Sequence, residues 1–160
     1  MSAEILVVGL GNTLAGDDGV GIAVVECLRA AGLPPGMRAE IGGTDSLCLA
    51  EIWKGERQIW FVDAVIGGEP PGTVHRLEHR QLLEAPQTHR GAHQLSLAEN
   101  LRWLLLAHRD LRAVRFHLWG VEPGELRTYE RLSPPVARAA NGLCDRIRLE
   151  ALAASECEYS

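Results

Sequence analysis

The chain has 160 residues, 46% of them hydrophobic and 23% charged, a balance that suits one globular domain (1–160) and excludes extended disorder. A formal net charge of -5 speaks against a nucleic-acid partner, because a phosphate backbone demands a basic field. No apolar run approaches the ~20 residues needed to span a membrane.

The opening "MSAEILVVGLGN" lacks a basic leader region and enters a strand at once, so no signal peptide is expected and the cytoplasm is the expected compartment. "EILVVGL" is a continuous β-branched run ended by glycine, the pattern of a parallel strand buried on both faces. Val20, Val24, Leu28 and Ala31 then recur at helical spacing until Gly32 and Pro34-Pro35. A short strand around "MRAEI" follows, then "GGT" and a helix from Ser46 to about Trp53, capped by Asp45 or Thr44. "RQIWFVDAV" reads as a third strand whose apolar run first breaks at Asp63.

Pro70, Pro71 and Gly72 mark a turn, and the alternation of "TVHRLE" predicts a short edge strand. Leu97, Leu101, Leu104, Leu105 and His108 share one helical face; Ser96 and Glu99 offer a capping box, although the helix has room to begin a turn earlier. "AVRFHLWGV" is the last strand. Ser133-Pro134 opens the final helix, which carries Val136, Ala140, Leu143, Ile147 and Ala151 and gives way to a frayed tail over 153–160. Strands alternating with helices predict an α/β fold, an open and mostly parallel twisted sheet covered on both faces. The four cysteines are scattered without metal-ligand spacing, and Cys27, Cys48 and Cys144 read as buried thiols. The arginines of "HRDLRAVRF" read as a solvated helix end.

In such sheets ligands bind beyond the carboxyl ends of the strands. Asp17 and Asp18 follow the first strand, Asp63 ends the third, and His93 lies in the loop leading to a major helix. Each has an ordinary reading alone: one acid of the Asp17-Asp18 pair as cap for the helix starting near Gly19, Asp63 as a loop anchor, His93 as a loop histidine. Together, two carboxylates and an imidazole from separate loops make a divalent-metal constellation with open positions. His75 and His79 are assigned to solvent beside Arg76, and Glu122 to shaping its turn. No Ser-His-Asp or activated Cys arrangement is present to supply a nucleophile.

A dinucleotide fingerprint fails, since its third glycine falls at Leu14 and the acids would face the pyrophosphate. "VGLGN" resembles peptidyl-tRNA hydrolases, but Thr13-Leu14 follows the asparagine, no histidine precedes His75, and the charge is negative. A larger set of stretches resembles the nickel-iron hydrogenase maturation endopeptidases. "VVGLGNTLAGDDGVG" is similar to that family's opening G-x-G-N-x-L-x-x-D-[DE]-x-x-G signature, followed in order by "GGT", "VDAV", "HQLSL" and "GVEP", over roughly residues 5–124.

The resemblance implies a three-layer α/β/α sandwich of phosphorylase/hydrolase-like kind with one antiparallel edge strand. It also implies an endopeptidase that trims the carboxyl terminus of the hydrogenase large-subunit precursor, acting as a monomer. Matched motif by motif, Asp18, Asp63 and His93 become ligands to nickel carried by the substrate, a set that zinc or cadmium would also suit. Asp17 becomes the helix cap or an unligated carboxylate able to act as base. Four positions depart from the family pattern: Ile41 where many members carry an acid, Gly91-Ala92 where they often carry Ser-Pro, and Asp18 where some relatives have the longer Glu. The competing class is a nickel-recognising accessory protein that binds the large subunit without cutting it; a peptidyl-tRNA hydrolase-like esterase ranks behind both.

Overall fold

A computed structural model describes residues 3–84, 92–124 and 131–157, and of residues 92–96 the backbone only. Five strands form one sheet in the order β2-β1-β3-β5-β4: β1 (Ile5–Leu10), β2 (Met37–Gly43), β3 (Gln58–Ala64), β4 (Val74–Leu77) and β5 (Arg115–Val121). The first four in that order are parallel, and β4 closes one edge antiparallel to β5. The helices are α1 (Val20–Ala31), α2 (Leu49–Ile52), α3 (His79–Leu83), α4 (Ala92–Ala107) and α5 (Pro134–Cys157).

The continuous apolar runs are buried on both faces because each alternates between two cores. Ile5, Val7, Trp60, Val62, Trp119 and Val121 pack with Val24, Leu28, Leu143 and Ile147 of α1 and α5. Leu6, Val8, Phe61 and Leu118 pack with Leu49, Leu82, Leu97 and Leu101 of α2, α3 and α4 on the other face. This is the three-layer α/β/α arrangement with one antiparallel edge strand.

Several local expectations are corrected. The second helix divides into a 3-10 turn over Ser46–Cys48, capped by Asp45, and the single turn of α2. The tail expected to fray over 153–160 is helical as far as residue 157, since α5 runs through Cys157, and the rest of it lies outside the described residues. "HRLEH" is not all strand: the chain leaves β4 at Leu77 and forms α3 from His79, with Glu78 and Gln81 closing a capping box. Because α4 starts at Ala92, Ser96 is not its cap, and His93 stands in the first turn of a helix rather than in a loop. Cys144 is buried, but Cys27 and Cys48 are only half-buried, and all the cysteines are free. Ala31 is exposed at the end of α1.

Candidate active site

The strand order reverses at β1 and β3. From β1 the chain crosses to β2 on one side, and from β3 it proceeds toward β4 and β5 on the other, so the connections diverge above the carboxyl ends of these two neighbours. That divergence opens the crevice where open α/β sheets hold ligands.

Glycines set the geometry of the crevice. A Cβ on Gly21 would lie 2.1 Å from the Val62 carbonyl oxygen and 2.3 Å from that of Leu10, so the first turn of α1 rests directly on the backbones of β3 and β1. Gly11 has φ 134, and a Cβ there would sit 1.9 Å from the Asp18 carbonyl oxygen. Only glycine permits both approaches. The 3-10 turn over Thr13–Gly19, opened by the Asn12 side chain accepting the Leu14 N–H, is thereby folded back over the strand ends with its two acids.

Those acids divide their work, though not as the sequence implied. Neither caps α1, whose N-cap Gly19 makes no side-chain bond. Asp17, 1% exposed, accepts from the backbone N–H of Gly124 at 2.8 Å and of Ser133 at 2.6 Å, and from the Ser133 hydroxyl at 2.8 Å. It therefore ties the opening turn to both ends of the segment joining β5 and α5. Asp18 is also buried, and its Oδ2 accepts the Asn12 N–H at 3.0 Å.

Asp63 is buried at the end of β3, where its Oδ1 accepts the Ala64 N–H at 2.8 Å. Burial pushes its pKa up to about 7; the Ala64 bond opposes that rise and the charge of Asp18 adds to it. Asp18 and Asp63 are thus brought together as two buried acids, one of which gives up its proton only near neutrality. A cation in the crevice would relieve both the burial and the repulsion, so the pair fits a metal. Among the described residues no three His, Cys, Asp or Glu side chains are close enough to hold one. The third expected ligand, His93, contributes only its backbone to the described set, in the first turn of α4 on the same side of the sheet as Leu97 and Leu101.

A family model described as hydrogenase maturation protease matches residues 22–149. The chain belongs to the hydrogenase maturation protease family. It is 34% identical over 125 residues to Protein FrxA of Pyrococcus furiosus, covering 78% of this chain and 88% of that one. Over 149 residues it is 32% identical to the hydrogenase expression/formation protein HupD of Thiocapsa roseopersicina, covering 85% and 66%. Its fold superposes on the hydrogenase maturating endopeptidase HybD from E. coli with TM-score 0.78 at 28% identity, covering 97% and 94%. The NiFe hydrogenase maturation protease HybD from Thermococcus kodakarensis gives TM-score 0.76 at 25% identity, covering 92% and 99%. The chemistry of this family member is peptide hydrolysis in hydrogenase maturation.

Three polar residues do more than the sequence reading assigned to them. His75 does not simply face solvent: its Nε2 lies 2.9 Å from Oε1 of Glu122, which is 2% exposed. Glu122 also accepts the Gly67 N–H at 2.6 Å, so it does more than shape its own turn. His79 accepts the Phe116 N–H through Nδ1 and stacks on the Phe116 ring, a structural role at the start of β5. The available signal for the first pair was positional, since an acid just past a central strand and a histidine on the neighbouring edge strand are within reach of each other.

Proposed function

We propose that this protein removes the carboxyl-terminal peptide from the nickel-loaded large-subunit precursor of a nickel-iron hydrogenase, in the cytoplasm. The observation that carries the reading is the pair of buried acids, Asp18 and Asp63, at the switch point of a hydrogenase maturation protease fold. The nickel is cargo of the precursor. Asp18, Asp63 and His93 take it as added or exchanged ligands, and this docking brings the scissile bond into the crevice.

Once docked, the ion polarises the scissile carbonyl or activates water. The protein contributes a dry, fixed site: Asn12 holds Asp18, and Ala64 holds Asp63. Asp17, with three donors on its carboxylate, serves as an anchor for the site rather than as its base. Because two carboxylates and one imidazole include no thiolate, the free protein binds divalent ions weakly, and zinc or cadmium can take the nickel's place.

The test is the mass of a candidate precursor before and after incubation. Loss of a carboxyl-terminal peptide supports the protease; stable association at unchanged mass supports a nickel-recognising accessory protein instead.

A further inference from the structure

His75 on β4, Gly120 on β5 and Asp63 on β3 stand in register across three adjacent strands. Residues in register project from the same face. That face is the one covered by α4, because Phe61, Leu118 and Leu77, each two positions from one of the three, belong to the core on that side. Two strand spacings put the Cα atoms of His75 and Asp63 roughly 10 Å apart. Between them, Val65 fills the place of the side chain that Gly120 lacks: a Cβ on Gly120 would lie 2.2 Å from Val65 Cγ2.

Glu122 fixes the imidazole. Its Oε1 accepts the Gly67 N–H at 2.6 Å and faces His75 Nε2 at 2.9 Å. A Cβ on Gly67 would come within 2.5 Å of that oxygen, so glycine is what allows the approach. An oxygen already accepting from one amide accepts from the ring as well, and Nε2 therefore carries the proton. The other ring nitrogen, Nδ1, takes no part in this contact and belongs to a side chain 33% exposed.

We infer that His75 is a substrate subsite. Resting on the protease reading above, Nδ1 accepts a hydrogen bond from a donor of the precursor chain, a backbone amide or a hydroxyl. An extended peptide advances about 3.3 Å per residue, so this donor lies roughly three residues from the one beside Asp63. Val65 is the apolar floor between the two points. Glu122 is a positioning residue that holds the Nε2 side of His75 through a hydrogen bond.

The experiment measures initial rates of trimming of nickel-loaded precursor over a range of its concentrations. His75→Ala raises KM about 5- to 10-fold, the worth of one hydrogen bond, with kcat within about twofold. His75→Asn, whose amide oxygen replaces Nδ1, recovers most of that loss. Glu122→Leu, which removes the acceptor at Nε2 and frees the ring to turn, raises KM by a similar factor and carries the test if His75→Ala does not fold. Unchanged KM, or a fall in kcat at unchanged KM, overturns the subsite. A wild-type protein that trims no loaded precursor overturns the protease reading, and the subsite with it.

Discussion

Asp17 and Ser133 are 116 residues apart in sequence and joined twice, by the backbone N–H of Ser133 at 2.6 Å and by its hydroxyl at 2.8 Å. The acid that opens the family signature thereby holds the start of α5. With the Gly124 N–H it carries three charge-assisted bonds out of solvent. Asp17→Ala leaves the donors without their partner and costs about 2–4 kcal/mol in urea unfolding. Asp17→Ala with the same stability as wild type would remove the anchoring role.

The contact of α1 with the strand backbones predicts a second outcome. At Gly21 the neighbours of an added methyl are the carbonyl oxygens of Val62 and Leu10, which cannot turn aside as side chains do. Gly21→Ala costs about 3 kcal/mol through overpacking. The whole turn that carries Asp18 shifts with it, so metal affinity falls as well. A variant with unchanged denaturation midpoint and unchanged affinity would show that the approach is looser than described.

Asp63 gives the stability of the metal-free protein a pH dependence of unusual sign for an acid. Unfolded, its carboxyl titrates near ~3.9; folded, at about 7. Between those values the folded state holds a proton that the unfolded state has released, so stability is fully present below the unfolded pKa and falls as pH rises toward 7, by at most about 4 kcal/mol. Asp63→Asn abolishes this fall and is the more stable protein at pH 8. Chelator-treated wild type and variant with parallel stability curves from pH 4 to 8 would refute it.

Much of the fold was legible because local and tertiary preferences agree. "ILVVGL" and "IWFV" have no polar residue to face solvent, and strands so composed belong between two helical layers. The glycines and acids of "GLGNTLAGDDGVG" were legible as a signature, and the charge of Asp18 is felt at Asp63. The partners of Asp17 were not legible, because they lie more than a hundred residues away and are mostly backbone amides. His75 was misassigned for a related reason: period-two alternation tells which face a residue occupies, but not that Glu122 from the next strand waits on that face. The helix at His79 was missed because "HRLEH" continues the alternation of β4 until Glu78 and Gln81 close a cap. The side chain of His93 lies outside the described residues, so its place in the site remains part of the proposal.

The central claim is that Asp18, Asp63 and His93 read nickel brought by the substrate. It is tested by treating the enzyme with a chelator, removing the chelator, and weighing nickel-loaded and nickel-free precursor after incubation with wild type and with Asp18→Asn. The account predicts that treated wild type trims loaded precursor at its original rate and leaves nickel-free precursor intact, and that Asp18→Asn, though folded, trims loaded precursor at least about tenfold more slowly. Trimming of nickel-free precursor, or an activity lost on chelation and restored only by adding zinc to the enzyme, would contradict it.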